Sequence, residues 1–167
     1  KTGIHVVTEM IEINQDYIVV EQDPESIKEV LEIDPKAIII EEDATDDLVF
    51  EKVNLASAKG LIASLSNDKD NLYITLSAKM YNPKIEVVAR AFELKMFEKL
   101  KKAGADYVVS PNYIGGMRIA SEILRPHVVT FLDRMLRGKD KSIRVEESKI
   151  PSSNYFVGRT IEETSFF

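Results

Sequence analysis

Acidic side chains follow two predicted strands at the point where each strand ends. The apolar run Ala37–Ile40 leads directly into the acidic segment 41–43, and the run Tyr17–Val20 leads into Glu21. Open α/β sheets bind ligands outside the carboxyl ends of their strands. Carboxylates at that edge accept hydrogen bonds from hydroxyl and amino groups, such as those of a ribose and an adenine. We therefore expect Glu21 and Asp43 to form part of a ligand-binding rim.

The same acids have a second, structural interpretation. Asp and Thr are good N-caps, and acidic residues stabilise the first turn of a helix. We favour this capping role for Asp46 and Asp47, and ligand contact for Glu21 and Asp43. The acids of 41–47 could also bind magnesium, but we favour a solvated, capping role for them.

Composition limits the classes of protein to which the chain can belong. Its 167 residues suffice for one full domain and the start of a second, with 44% hydrophobic and 30% charged residues. The absence of cysteine excludes disulfides, zinc–thiolate sites and cysteine nucleophiles. A net charge of −6 argues against general nucleic-acid binding. The sequence contains neither an apolar run of membrane-spanning length nor a signal-peptide pattern at its start, so we expect a cytoplasmic domain.

Periodicity predicts a strict alternation of helices and strands. Helical spacing from Ile4 is followed by a strand at Tyr17–Glu21, a helix opened by Pro24 and the Ala37 strand, which we expect to be buried on both faces. The pattern continues with these elements: helix Asp46–Val53, with Leu48 and Val49 facing inward; strand Gly60–Leu65; helix Lys69–Met80; strand Ile85–Arg90; helix Phe92–Ala103, with Leu94, Phe97 and Leu100 facing inward; and strand Asp106–Ser110. This order predicts an α/β fold, a Rossmann-like doubly wound parallel sheet.

The alternation begins with a helix, so the strand that should precede it is missing. In a sheet of order 3-2-1-4-5-6 the first strand is central, and without it the remaining strands divide into groups of two and three. We therefore expect the sequence to be part of a longer chain. Gly3 would then be the third glycine of a G-x-G-x-x-G turn, and Glu21, 18 residues further on, is close to the position of a ribose-binding acid.

The pattern changes after Pro111. Residues 112–136 predict a long helical segment, which Pro126 should kink or divide. Its apolar residues exceed what one domain needs, so we expect it to contact a partner subunit. The charged segment 137–141 is a predicted linker, and 142–167 a second unit too short to fold alone, with a strand at Ile143–Glu146 and core residues Phe166 and Phe167.

Three runs match a known family. The segments VVEQDPESI, EEDATDDLVFEKVNLASAKGLIASLSNDKDNL and VVARAFELKMFEKLKKAGADYVVSP closely resemble the domain that regulates potassium conductance, also called the nucleotide-binding domain of Trk/Ktr-type potassium transport. The resemblance covers about residues 1–137. It implies a nucleotide-binding subdomain at 1–111, crossover and dimerisation helices at 112–137, and a linker with the start of a C-terminal ligand-binding subdomain at 138–167.

The resemblance implies NAD or an adenine nucleotide (ATP, ADP or AMP) as the ligand. By position, Gly3 and Lys1 would line its phosphates, and Arg90, at the end of its strand, would reach a phosphate. Two departures concern this side of the site. The first two glycines are not present in the sequence, and Arg90 and Phe92 occupy positions where some channel members carry calcium-binding acids.

The remaining positions carried over from the family concern the nucleoside. Glu21 would hold the ribose hydroxyls, and Asp43, with the backbone of Ala44 and Thr45, would face the adenine edge. Asn71 would support the pocket loop. We assign no catalytic and no metal-binding residue.

The resemblance also implies partners and a location. Members form homodimers through the equivalent of the 112–136 helix and assemble into a larger ring, which gates a membrane potassium pore or transporter subunit from the cytoplasmic side of the membrane. We expect a regulatory domain and not an enzyme. The alternative is a fragment of an NAD-dependent dehydrogenase, which predicts a catalytic His or Lys–Tyr pair downstream, and 142–167 shows no sign of one.

Overall fold

The computed structural model describes residues 2–137, 154–160 and 163, with the backbone alone for 132–137. Its helices and strands alternate as the sequence predicts. The helices are α1 (Thr2–Glu12), α2 (Pro24–Ile33), α3 (Leu48–Lys52), α4 (Asp68–Tyr81), α5 (Phe97–Lys102), α6 (Pro111–Leu124) and α7 (Pro126–Arg137). The strands are β1 (Ile18–Glu21), β2 (Ile38–Glu41), β3 (Gly60–Ala63), β4 (Glu86–Arg90) and β5 (Tyr107–Val109).

The strands form two parallel sheets, as predicted. One contains β1 and β2, with Ile18 opposite Ile38 and Glu21 opposite Glu41. The other has the order β3-β4-β5. In the described part of the chain, one edge of β3 and the edge of β1 away from β2 are therefore unpaired.

The expectation that the Ala37 strand is buried on both faces is wrong. Ile38 in β2 is 59% exposed, and Ile18 in β1 is 45% exposed. Both strands are edge strands of a two-stranded sheet, and such a sheet offers too few neighbours to cover its faces. The strands of the larger sheet behave differently, since Val87 and Ala89 of its central strand β4 are fully buried.

Local sequence signals determine where several helices begin and end. The Asp23 side chain caps α2 by accepting from Ser26 N, one residue before Pro24. Asn67 caps α4 by accepting from Lys69 N. At their other ends, α1 is followed by Asn14 with φ of 54° and α5 by Gly104 with φ of 108°. Both residues are in the left-handed conformation, as Asn and Gly at these positions predict.

The hydrophobic core lies around the three-stranded sheet. One cluster joins α3 and α4 to β4 and contains Phe50, Leu55, Ala78, Ile85 and Val87. A second cluster joins the end of β4 to α5 and contains Ala89, Ala91, Met96, Leu100 and Ala105. The core therefore packs helices α3, α4 and α5 against the three-stranded sheet.

Two residues expected to face inward are exposed. Leu48 is 61% and Leu94 is 54% exposed. Leu48 opens a helix of five residues, and Leu94 lies in a 3₁₀ turn, Leu94–Met96, that precedes α5. Segments of so few turns do not define an apolar face by period alone. Met96, in the same turn, is buried in place of Leu94.

At the amino ends of the larger sheet, an ion pair joins α4 to β5. Lys79 Nζ lies 2.8 Å from Asp106 Oδ2 and 2.5 Å from the carbonyl oxygen of Ile85. Asp106 Oδ2 also accepts from Val87 N at 2.7 Å. The Lys79 stem lies over Gly104, where a Cβ would come within 2.8 Å of Lys79 Cγ.

Pro126 divides the helical segment after Pro111, as predicted. The chain separates into two compact units, residues 1–117 and 118–167, with the boundary inside α6. The predicted linker, the strand Ile143–Glu146 and the residues Phe166 and Phe167 lie outside the described residues. In the described ranges, no helix combines the length and the apolar character that crossing a membrane requires.

Candidate functional site

Glu21, Asp43 and Arg90, three of the predicted site residues, lie at or just after the carboxyl ends of their strands. Register places Glu21 opposite Glu41 at the ends of β1 and β2. An open cleft of about 500 Å³ joins Thr45, in the loop after β2, to Lys69, Asp70 and Tyr73 at the start of α4. The carboxyl ends of both sheets therefore face the same side of the domain.

Glu21 is half-buried and shapes the loop that follows it. Its Oε1 accepts from Gln22 N at 2.8 Å and from Asp23 N at 3.0 Å. These bonds fix the carboxylate at the strand end. In the part of the chain that the structure describes, Oε2 accepts no hydrogen bond, so one oxygen is available to a ligand.

Asp43 is exposed and organises the loop after β2 in a similar way. Its Oδ1 accepts from the backbone N of Thr45 at 2.8 Å and from Thr45 Oγ1 at 2.7 Å. The bond from the Thr45 backbone, followed by that from its hydroxyl, lowers the pKa of Asp43, so the group is ionised at neutral pH. Ala44 lies half-buried inside this turn. Asp43 thus combines a turn-forming role with a second oxygen, Oδ2, that faces no described donor.

The two acids assigned to capping differ. Asp46 Oδ1 accepts from Leu48 N at 2.9 Å, which is a helix-start contact as expected. Asp47 occupies the N-cap position of α3, but its side chain makes no capping bond. The hydroxyl of Tyr73 lies 3.4 Å from Asp47 Oδ1 instead, because the start of α4 approaches this loop. The capping prediction is therefore wrong for Asp47.

Gly3 lies in the first turn of α1 and packs against the end of β3. A Cβ added at Gly3 would lie 3.4 Å from Ser64 Oγ, which is a van der Waals contact distance. The structure thus brings the start of α1 to the end of the larger sheet. Lys1, the other residue expected near the phosphates, lies outside the described residues.

Asn71 is fully buried and connects the ends of β3 and β4. Its Oδ1 accepts from Leu65 N at 2.8 Å, and its Nδ2 donates to Leu65 O and to Arg90 O, each at 3.0 Å. All three bonds are to backbone groups. Asn71 is therefore a structural support of the rim, and its fully buried side chain is not exposed to a ligand.

Arg90 ends β4 and has a polar atom without a partner. Its Nε is buried and makes no hydrogen bond within the described structure. Its guanidinium carbon lies 5.9 Å from the centre of the Phe92 ring. A buried donor without an acceptor is unfavourable unless a ligand or water supplies one.

Sequence reasoning did not identify several residues of this edge as site residues. Ser64, Lys69 and Tyr73 border it, and Asp68 binds the loop after β4 through both carboxylate oxygens, 2.6 Å from Phe92 N and 3.0 Å from Glu93 N. The run Ser66-Asn67-Asp68 signals a helix start, but no local pattern reveals a contact 24 residues away.

The arrangement provides binding groups of two kinds. Carboxylate oxygens at the ends of β1 and β2 accept hydrogen bonds, whereas Arg90 and the N-terminus of α1 favour negative charge. In the ranges that the structure describes, no three or more His, Cys, Asp or Glu residues are grouped to hold a metal ion. Neutral donors on one side and an anionic group on the other would complement this edge.

Comparison with known proteins identifies the family. The TrkA-N domain model matches residues 1–111. Potassium channel protein 1 of Methanocaldococcus jannaschii is 39% identical over 136 residues, which cover 81% of this chain and 41% of that protein. The Trk system potassium uptake protein TrkA homolog of Pyrococcus abyssi is 34% identical over 153 residues, covering 89% of this chain and 65% of the relative. The chain thus spans about two fifths of the channel protein and two thirds of the TrkA homolog.

Solved structures share the fold. The TrkA-N domain of the inner membrane protein YbaL from Escherichia coli has a TM-score of 0.64 at 23% identity, covering 76% of this chain and 90% of that chain. The GsuK channel bound to NAD has a TM-score of 0.57 at 24% identity, covering 71% of this chain and 20% of that chain. GsuK bound to ADP has a TM-score of 0.59 at 20% identity, covering 95% of this chain and 46% of that chain. Because the family model matches about two thirds of the sequence, this chain belongs to the TrkA-N domain family, whose relatives here are potassium channel and potassium uptake proteins.

Proposed function

We propose that this chain is a nucleotide-sensing regulatory domain of a potassium channel or Trk-type transporter, with NAD or an adenine nucleotide as its ligand. The proposal is carried by two observations at the carboxyl ends of the strands. Glu21 and Asp43, after β1 and β2, each keep one carboxylate oxygen without a hydrogen bond in the described part of the chain, and Nε of Arg90, at the end of β4, is buried there without an acceptor. GsuK, which shares the fold, has been solved with NAD and with ADP.

The proposed roles are those that the family resemblance implies, and the unbonded oxygens of Glu21 and Asp43 are compatible with them. Glu21 Oε2 accepts from the ribose hydroxyls, and Asp43 Oδ2, with the backbone of Ala44 and Thr45, faces the adenine edge. Gly3 and Arg90 contact the phosphates. Lys1 is proposed to join them, on the resemblance alone. A ribose carrying a 2′-phosphate would meet the Glu21 carboxylate and be repelled.

The unpaired edges of β1 and β3 suggest how the phosphate side of the site is completed. We propose that one further parallel strand lies between them and that its carboxyl end carries the remaining glycines of the phosphate turn. The packing of Gly3 on Ser64 supports this, because it brings the start of α1 to the β3 side of that space.

The domain is proposed to act as a homodimer within a larger ring beneath a membrane pore or transporter subunit, on the cytoplasmic side. The support is the apolar surface of α6 and α7. Ile123 is 83% and Leu124 75% exposed, and Phe131 is 52% exposed. A nucleotide can gate the pore only if it binds one ring conformation more tightly than another. Leu132, Met135 and Leu136 lie beyond the described side chains.

Potassium flux tests this function directly. The full-length protein, assembled with its pore or transporter subunit in liposomes, should change its potassium flux when NAD or ADP is added. Asp43→Ala should shift the nucleotide dependence to about ten-fold higher concentration, since it removes a charged acceptor. Asp23→Ala is a matched control, because Asp23 caps α2 through Ser26 and has no proposed ligand contact. A potassium flux that does not change when NAD, ATP, ADP or AMP is added would refute the proposal.

A further inference from the structure

Asp68 fixes the loop that follows β4. It is the first residue of α4, and its two carboxylate oxygens accept from two successive backbone groups, Phe92 N at 2.6 Å and Glu93 N at 3.0 Å. Hydrogen bonds to an ionised carboxylate are shorter and stronger than those between neutral groups. The first turn of α4 therefore holds a loop from another part of the sheet.

The backbone of residues 90–93 is held at every position. Asn71 Nδ2 donates to Arg90 O at 3.0 Å, and Ala91 N donates to Val109 O at 2.8 Å. Asp68 accepts from the next two N–H groups. Because Asp68 and Asn71 share one helical turn, this turn acts together with the pairing of Arg90 to Val109 in β5 to hold the backbone of residues 90–93.

The Arg90 side chain contrasts with its backbone. None of the ion pairs in the described part of the chain includes Arg90, and its buried Nε has no acceptor. The nearby acid Glu93 pairs with Lys95 and does not neutralise Arg90. The Phe92 ring lies beside the guanidinium, with its centre 5.9 Å from Cζ. An aromatic face orients a guanidinium without satisfying its N–H groups.

We propose that Asp68 is a positioning residue for a preorganised anion site at Arg90, and that it sets the affinity for the phosphate groups of the nucleotide and not for its nucleoside part. Asp68 acts through the loop, since it bonds Phe92 N and Glu93 N and not the Arg90 side chain. Because the loop is already ordered, binding of phosphate to Arg90 does not include the entropic cost of ordering this loop. The inference rests on the proposed function for the identity of the ligand, but the anion site itself does not.

A double-mutant cycle separates positioning from mere stability. Calorimetry of the full-length protein with ADP, adenosine and inorganic pyrophosphate would compare wild type, Asp68→Ala, Arg90→Ala and the double variant. Asp68→Ala should weaken ADP and pyrophosphate binding by about ten-fold and leave adenosine unchanged. In the Arg90→Ala background the same change should have no effect, because the residue through which Asp68 acts is gone.

Asn67→Ala is the matched control. Asn67 caps the same helix by accepting from Lys69 N at 2.9 Å, and within the described structure its side chain makes no hydrogen bond to residues 90–93. It should destabilise the start of α4 without selective loss of ADP affinity. Asp68→Asn, which keeps one acceptor oxygen, should fall between wild type and Asp68→Ala. It supplies the comparison if Asp68→Ala does not fold.

The outcomes distinguish the two proposals. Equal effects of Asp68→Ala in both backgrounds, or equal weakening of ADP and adenosine, would overturn the positioning role while nucleotide binding stands. Failure of wild type to bind both ADP and adenosine would overturn the proposed function. In that case binding of pyrophosphate tests this inference. The wild type should bind pyrophosphate, Arg90→Ala should abolish this binding and Asp68→Ala should weaken it. If the wild type does not bind pyrophosphate, the inference fails.

Discussion

Asp106 Oδ2 accepts a 2.8 Å hydrogen bond from Lys79 Nζ and a 2.7 Å bond from Val87 N, and so joins α4, β4 and β5 at the edge of the sheet opposite the candidate site. The Lys79 bond, followed by the Val87 bond, lowers the pKa of Asp106 below its ordinary 3.8. A carboxyl whose pKa is lower in the folded state stabilises the fold above its unfolded pKa, and this contribution disappears as pH falls through the folded pKa.

The first prediction is a pH dependence of stability. Asp106→Asn should be less stable than wild type at pH 7, since it loses the charged partner of Lys79. The difference in unfolding free energy should start to shrink as the pH falls below about 4, because the unfolded carboxyl is protonated before the folded one, and it should be lost as the pH falls through the lowered pKa of the folded Asp106. Urea denaturation from pH 3 to pH 7 measures it. A difference that stays constant over this range would show that the charge of Asp106 does not stabilise the fold.

The second prediction concerns Gly104. Gly104→Ala should destabilise the domain by about 1–3 kcal/mol, because φ of 108° is unfavourable for a residue with a Cβ. The new Cβ would also lie 2.8 Å from Lys79 Cγ. In a Lys79→Ala background the steric part should vanish and the backbone part remain, so the loss should be smaller but not zero. Identical losses in both backgrounds would mean that the Lys79 stem does not pack on Gly104.

The third prediction concerns Asn71. Asn71→Leu keeps a similar volume but leaves Leu65 N, Leu65 O and Arg90 O without their side-chain partner, which should cost about 2–4 kcal/mol. Asn67→Ala, which removes only a helix cap, should cost about 0.5–2 kcal/mol. Denaturation of both variants tests the comparison. If Asn71→Leu is the milder change, its buried bonds do not hold the two strand ends.

Particular residues show what the sequence could predict and what it could not. Asn14, Pro24, Gly104 and Pro126 signal helix ends through their own backbone preferences, and the structure confirms these ends. The parallel α/β fold and the division of its strands into two sheets also follow from the alternation. These features depend on local chemistry and on period.

Other features depend on contacts between distant segments. The prediction that Leu48 and Leu94 face inward is wrong, because neither residue lies in a segment long enough to define an apolar stripe. The bond from Tyr73 to Asp47 spans 26 residues, and that from Phe92 to Asp68 spans 24. No pattern within one window contains such pairs. The position of Glu21 and Asp43 at the strand ends and the supporting role of Asn71 could therefore be predicted from sequence, whereas the contact of Asp68 with the loop after β4 could not.

The fourth prediction concerns assembly through α6 and α7. Leaving a large apolar side chain in water forgoes about 1.5–3 kcal/mol, so the exposed residues Ile123 and Phe131 should be covered by a second copy. Ile123→Asp with Phe131→Asp should split the dimer, because it would bury charges without partners. Ile13→Asp, at an exposed position after α1, should leave the dimer intact. Sedimentation measures the oligomeric state, and a wild-type monomer would contradict the assembly.

The fifth prediction concerns the ligand, which is the central claim. Glu21 lies at the end of β1, where Oε1 accepts from Gln22 N and Asp23 N, and Oε2 accepts no hydrogen bond in the described part of the chain. We propose that Oε2 binds a ribose hydroxyl. Glu21→Ser should remove the repulsion of a 2′-phosphate and narrow the preference for NAD over NADP.

Calorimetric titration of the full-length wild-type protein with NAD, ADP and NADP is the most direct measurement. The account predicts saturable binding of NAD or ADP, at one site per chain, at least about ten-fold tighter than that of NADP. Tighter binding of NADP would contradict the role of Glu21, and no binding of any of the three would contradict nucleotide sensing at this edge of the domain.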